Sequence, residues 1–217
     1  MIFMFYTALI VAAGSGSRMG LGYNKLLYPL SDSQTVIEKT TALFQQDKRC
    51  RQIVIVINES DKEQMKALFS DDITFVIGGA TRQESVYNGL KVVNEEIVLI
   101  HDGARPWLSK QSLDELLEGM QSYEACLLCV PVKDTIKRVR NGKVAETYPR
   151  EELMQAQTPQ AFTLSLIKSA YEAARSSNVS ATDDAQIAEM FANCDVHVII
   201  GNYENAKLTT KEDLYRK

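Results

Sequence analysis

The stretch "ALIVAAGSGSRMG" (8–20) runs from apolar residues straight into a glycine-rich loop, with Arg18 inside it and Lys25 soon after. Backbone N–H groups of such a loop can wrap a polyphosphate while two cations neutralise charge at the reacting phosphorus. Two other chemistries use glycine loops. A dinucleotide site needs Gly-x-Gly-x-x-Gly or Ala. Gly14 and Gly16 begin that pattern, but Met19 stands where the third small residue should pack. The acidic ribose partner about 20 positions on has no strand-end candidate, since Asp32 lies in the turn-like "LSDSQ". A P-loop needs Gly-x-x-x-x-Gly-Lys-Ser/Thr, which the chain lacks. An ordinary βα turn with two solvated basic residues remains the alternative to a phosphate site.

Composition narrows the partners. The chain has 217 residues and a formal net charge of −4, which argues against a nucleic-acid partner, since that needs a basic face. Lys and Arg that handle phosphates must therefore be concentrated locally. Cys50, Cys126, Cys129 and Cys194 are scattered, as in a reducing compartment. Cys126 and Cys129 share the apolar run "ACLLCV" with no second pair or nearby His to complete a zinc set, so a buried strand is expected there. The N-terminal "MIFMFYTALIVAA" lacks a basic leader and reads as a first strand rather than an export signal. No apolar segment approaches the ~18 residues of a membrane span, and a cytoplasmic protein with no membrane partner is expected.

Elements that would position these residues alternate along the chain. Apolar runs at Thr7–Ala12, Ile53–Ile57, Ile73–Ile77, Ile97–His101, Cys126–Val130 and Val196–Ile200 mostly lack polar alternation, as in strands covered on both faces of a parallel sheet. Helix candidates lie between them: "SQTVIEKTTALFQQ", "DKEQMKALF", "RQESVYNGLKVV", "KQSLDELLEGMQSY" and "LSLIKSAYEAARSS". This alternation predicts a three-layer α/β/α domain whose ligands bind beyond the carboxyl ends of the strands. "GSGSR", "HDGARP" and "PVKDT" each follow an apolar run and should share that rim. Lys133–Gln157 departs from the pattern. Asn141-Gly142 between short β-prone runs predicts a hairpin, read as a projecting β-arm.

"AAGSGSRM…K", "GGATRQESVYNGL", "HDGARP", "PVKDTIK", "REELMQAQTPQAF", "TDDAQIAE" and "NAKLTTKEDL" occur in this order over nearly the whole chain. Together they closely resemble the 2-C-methyl-D-erythritol 4-phosphate cytidylyltransferases of the non-mevalonate isoprenoid pathway. Relatives that make CDP-ribitol share the glycine loop and "QTPQ". "TDDA" with Glu189, and Ala104 before Arg105, favour the methylerythritol enzymes. The resemblance implies one Rossmann-like nucleotidyltransferase domain over 1–217, with the arm at 133–157 crossing a homodimer interface. It also implies that CTP and methylerythritol phosphate give CDP-methylerythritol and pyrophosphate. The alternatives are another polyol phosphate, such as ribitol 5-phosphate, or a non-catalytic nucleotide binder. A nicotinamide oxidoreductase lacks its full fingerprint.

The same resemblance implies residue roles. Arg18 and Lys25 would stabilise the transition state, with Arg150 and Lys207 positioning the acceptor phosphate. Ala12, Ala13, Gly14, Ser15 and Gly16 would receive the nucleotide. Gly79 and Ser85 match the segment that reads cytosine, with Arg82 and Gly103 beside the nucleotide. Arg105, Thr135 and Thr182 match further acceptor contacts. Asp102 would hold Mg²⁺, with Mn²⁺ able to substitute in an oxygen-rich site. His101 and His197 read as structural. The chain departs from the family pattern in flanking Lys25 with Asn24 and Leu26, and at Ala80, Gly103 and Ala206. None of these removes a charge assigned to chemistry.

Overall fold

The computed structural model describes residues 4–14, 22–30, 34–70, 72–177, 179–210 and 212–213. Its core is a seven-stranded sheet of β1 (Tyr6–Val11), β2 (Cys50–Ile57), β3 (Ile73–Ile77), β4 (Ile97–Asp102), β5 (Ala125–Pro131), β8 (Met154–Thr163) and β9 (His197–Ile200). The order across it is β3-β2-β1-β4-β8-β5-β9. Every pairing is parallel except the two made by β8, which runs antiparallel to both β4 and β5.

Uninterrupted apolar strands bury both faces, and their alternation shows which helices cover which face. Ile53, Ile55 and Ile57 point to the same side as Ile97 and Leu99, beneath α1 (Val36–Gln46), α2 (Lys62–Lys66) and α4 (Lys110–Gly119). Val54, Val56, Val98 and Ile100 point the other way, beneath α3 (Arg82–Leu90), α5 (Leu164–Ser177) and α6 (Asp184–Phe191). The α/β/α expectation holds, and Cys126 and Cys129 lie buried in β5.

Two elements differ from expectation. "MQAQTPQAFT" forms β8, a central strand, so the arm is shorter than 133–157. Its two strands, β6 (Lys137–Arg140) and β7 (Lys143–Thr147), make a separate ribbon exposed at every residue. Asn141 (φ 51°) and Gly142 (φ 74°) turn it, the positive φ at both positions matching the hairpin twist. The helix α6 is not among the candidates read from sequence. Asp183 caps it, its Oδ1 accepting from the Gln186 N–H at 2.9 Å.

Chain direction sets the site's place. β1 is followed by a crossover to β2 on one side, while β4 lies on its other side. The crevice opens where connections diverge from β1, at the carboxyl ends of β1 and β4, with Val11 paired to Asp102.

Candidate active site

A cleft of about 520 Å³ opens there, lined by residues of both strand ends, including Ala13, Gly14, Lys25, Gly79, Arg82 and Asp102. Ala12 holds the loop's root, donating its N–H to the Val56 carbonyl at 2.8 Å. Ser15, Gly16 and Arg18 lie outside the described residues. Beyond the loop, Asn24 is buried and fixes Lys25. Its Nδ2 donates to Asp61 Oδ2 (2.8 Å), and its Oδ1 accepts from the Leu26 N–H (3.0 Å). Lys25 Nζ in turn donates to the Leu208 carbonyl at 2.5 Å. Asn24, one of the departures from the family pattern, thus has a structural purpose in this chain.

The opposite wall is the turn into α3. Thr81 and Glu84 form a capping box, and Glu84 Oε2 also accepts from the Ala80 N–H. Ser85 Oγ donates to the Thr81 carbonyl (2.8 Å) and accepts from the Gly79 N–H (3.0 Å), so this hydroxyl shapes the turn. A Cβ at Gly78 would come within 2.6 Å of Ala13 Cβ and 2.7 Å of Ser85 Oγ. The glycine is needed to bring this turn against the root of the glycine-rich loop. Gly103 lies behind the cleft, buried, with its N–H on the Val11 carbonyl and its carbonyl on Thr40 Oγ1.

Asp102 is the electrostatic centre. Its side chain meets Lys207 Nζ at 2.7 Å, Arg82 Nε at 3.6 Å and Arg105 Nε at 3.7 Å. Burial alone would raise its pKa. Arg82, Lys207 and Arg105 outweigh that and hold it well below the ordinary carboxylate range. The Asp102 N–H donates to Thr158 Oγ1 (3.0 Å), which lies 3.0 Å from His101 Nδ1, while His101 Nε2 is 3.2 Å from the Arg105 carbonyl. A carbonyl only accepts, so Nε2 carries the proton. Burial pushes the ring's pKa down to about 4, so Nδ1 is free to accept from Thr158. His101 is a neutral brace behind Asp102, as expected from sequence.

A second cleft of about 240 Å³ lies alongside, and Arg82, Asp102 and Lys207 line both. Arg105 and Thr182 face the second cleft with Gln157, Thr158 and Gln160 of β8. Thr135 and Arg150 line neither cleft. Both are exposed at the root of the arm, where Arg150 Nη1 donates to the Lys133 carbonyl at 2.8 Å. Two neighbours of the site, Asp184 and Tyr171, are absent from the sequence reading. Arg82 is forked onto Asp184 (2.7 and 3.0 Å), and Tyr171 donates to the same carboxylate.

The residues fit a single divalent cation. Asp102 is a hard carboxylate held ionised, and its Oδ1 stands 3.6 Å from Arg82, too long for a hydrogen bond. Among the described residues no group of three His, Cys, Asp or Glu forms a protein-only cage. One carboxylate with substrate oxygens and water is a magnesium-like donor set. Chemically, the arrangement presents cations on two adjoining clefts around one anion, as transfer of a phosphoryl-linked group between two ligands requires.

Comparisons with known proteins agree with this geometry. The profile of the family described as "IspD: 2-C-methyl-D-erythritol 4-phosphate cytidylyltransferase" matches residues 6–217. A 2-C-methyl-D-erythritol 4-phosphate cytidylyltransferase of Bacillus velezensis is 44% identical, covering 97% of this chain and 93% of the relative. One from Halalkalibacterium halodurans is 46% identical, over 97% and 94%. A crystal structure of 4-diphosphocytidyl-2C-methyl-D-erythritol synthase from Anaerococcus prevotii superposes with a TM-score of 0.86. It is 33% identical, over 98% of this chain and 93% of that one.

Proposed function

The chain belongs to the 2-C-methyl-D-erythritol 4-phosphate cytidylyltransferase family, and from that premise we propose how its residues divide the work. The reaction joins CTP and methylerythritol 4-phosphate into CDP-methylerythritol and pyrophosphate. The observation that carries the residue assignment is the wall of Arg82, Asp102 and Lys207 shared by two clefts.

The donor triphosphate occupies the larger cleft, with Ala12, Ala13 and Gly14 along it and Lys25 at its α-phosphate. Ser15, Gly16 and Arg18 are assigned to the same triphosphate. Gly79 and the turn braced by Ser85 face the base. The acceptor occupies the smaller cleft, with its phosphate toward Lys207 and its hydroxyls toward Arg105 and Thr182. A phosphate oxygen attacks the α-phosphorus in line. The acceptor needs no general base, because a phosphate monoester with a second pKa near ~6 is largely dianionic at neutral pH. The barrier is charge crowding and alignment, which fixed cations relieve. Lys207 can turn from Asp102 toward the incoming phosphate, since both are within reach of one flexible side chain. Asp102 would hold Mg²⁺, or Mn²⁺ in its place, which when bound supplies charge neutralisation at the α-phosphate oxygens.

Residues 1–217 act as one nucleotidyltransferase domain that pairs with a second copy through the arm. Val139 and Val144 face each other across β6 and β7 and are 57% and 61% exposed, an apolar pair on an isolated ribbon that is marginal in water. Arg150 and Thr135, which line neither of their own clefts, then serve the neighbour's acceptor. Sedimentation equilibrium should give a dimer for the wild type and a monomer for Val139→Asp/Val144→Asp. A wild-type monomer with full turnover would remove the arm from the mechanism. The expected compartment is the cytoplasm, in keeping with four free cysteines, three of them with thiol pKa values raised to about 11 by burial.

Substrate choice is tested by pyrophosphate release with CTP and Mg²⁺. Methylerythritol 4-phosphate should exceed ribitol 5-phosphate in kcat/KM by at least about tenfold, a modest discrimination for a site that pairs substrate hydroxyls. Preference for ribitol phosphate would move the enzyme to the neighbouring polyol family. Silence with both would contradict catalysis.

A further inference from the structure

Behind the wall between the clefts, three helices converge on one carboxylate. Asp184 has no exposed surface, and sits in the first turn of α6. Its Oδ1 accepts from Tyr171 Oη at 2.5 Å and from Arg82 Nη1 at 3.0 Å, and its Oδ2 accepts from Arg82 Nη2 at 2.7 Å. Tyr171 comes from α5 and is 1% exposed. A two-point fork of this kind fixes the plane of a guanidinium as well as its position. With both Nη atoms tied to Asp184, Arg82 approaches Asp102 through Nε, at 3.6 Å. An unclamped Arg82 would be free to close on Asp102 with its own fork and cover the wall that both substrates use.

Packing alone does not call for this arrangement. The neighbours Ile167, Ala170, Ile187 and Ala188 are apolar and fully buried, and burying ionised groups among them costs free energy that an apolar set would not. The phenol stays protonated, because burial and then the Asp184 charge raise its pKa well above the ordinary value. It therefore donates to Asp184 at any working pH.

We propose that Tyr171 and Asp184 are positioning residues of the transfer reaction, holding Arg82 in the shared wall with its free N–H edge toward the phosphates. The inference rests on the reading of Arg82 as a phosphate-facing group, and extends it to a residue of α5 that touches neither cleft.

A double-mutant cycle on the full chain tests it. Tyr171→Phe removes one hydroxyl and little volume, and Arg82→Lys keeps the charge but cannot make the fork. Tyr171→Phe should lower kcat about tenfold with KM for CTP nearly unchanged, in line with the cost of small misplacements. In the Arg82→Lys background the same change should cost nothing further in kcat. Thermal midpoints of all four proteins are recorded alongside. A merely structural hydroxyl would give the same kcat loss in both backgrounds, or a loss that follows the midpoint, and that result overturns the proposal. Asp184→Asn, with the same cycle, serves if Tyr171→Phe folds poorly. If Arg82→Lys turns over as the wild type does, the role of Arg82 falls, and the positioning role with it. If Arg82→Lys is slow but uncoupled from Tyr171, only the positioning role falls.

Discussion

Asp102→Asn should lower kcat by about 10³-fold at saturating CTP and acceptor, the upper range for losing one preorganised electrostatic partner of a transition state. The carboxylate is where the charges of the site are reconciled, being within 4 Å of Lys207, Arg82 and Arg105 at once. Asparagine keeps the shape and the backbone bond to Thr158 but removes the anion. Two consequences follow. The oxygen proposed to hold the metal loses its charge, so added Mg²⁺ should restore the rate only in part. Three cations are also left facing one another, which should cost about 3 kcal/mol of stability, the lower end for breaking a buried charge set. The low figure is apt because Lys207 and Arg82 side chains keep 37% and 30% exposure and can hydrate. Pyrophosphate release and urea unfolding measure the two effects separately. A kcat within tenfold of wild type would show that Asp102 is a brace rather than part of the chemistry.

Lys25→Met should lower kcat by about 10²-fold, with a smaller rise in KM for CTP, because a cation aimed at the reacting phosphorus matters more as charge builds there. Methionine keeps most of the stem's packing, so the loss isolates the ammonium. The lysine is also the donor to the Leu208 carbonyl, so the substitution loosens the segment that carries Lys207. Comparing Lys25→Met with Lys25→Arg separates these effects. Arginine can keep the charge and the tie, and should recover binding more than turnover. A raised KM for CTP with kcat unchanged in Lys25→Met would make Lys25 a ground-state binding residue only.

Much of the architecture was legible because strands buried on both faces leave uninterrupted apolar runs. β1, β3 and β4 lie within a residue or so of their sequence limits for that reason. β8 was not legible. Gln155, Gln157, Thr158 and Gln160 make its sequence look like a loop, and Pro159 removes a donor. Only the fold supplies partners for these amides. Gln157 bonds to the Asn202 carbonyl and to Asn205, and Gln160 bonds to Asp183 and the Ala185 N–H. A polar central strand is affordable only where such partners arrive from distant segments, and local periodicity carries no trace of them.

The site divides in a similar way. Lys25, Asp102, Lys207, Arg105 and Thr182 converge as expected, since each stands in or beside a motif at a strand or helix end. Arg82, which the resemblance puts beside the nucleotide, is tied on one side to Asp184 and approached on the other by Asp102. Asp184 has a faint sequence signal in "TDDA", an acidic pair opening a helix. Tyr171 has none, being one aromatic among the apolar positions of α5. Asn24 looked like a departure and proves to be the residue that sets Lys25 in place.

The segment after β9 closes the cleft from behind. Leu208 is buried in the core and donates its N–H to the Ala104 carbonyl, the Asn205 carbonyl takes Arg105 Nη1, and Lys207 reaches Asp102. During synthesis, all seven strands of the sheet are complete by residue 200, while the partner that Lys25 grips has yet to be made. Such a contact, spanning most of the chain, forms only after the local ones have been won. An intermediate with a finished sheet can thus still be unable to transfer anything. Competence arrives late, as a single latch that joins the early and late parts of the chain.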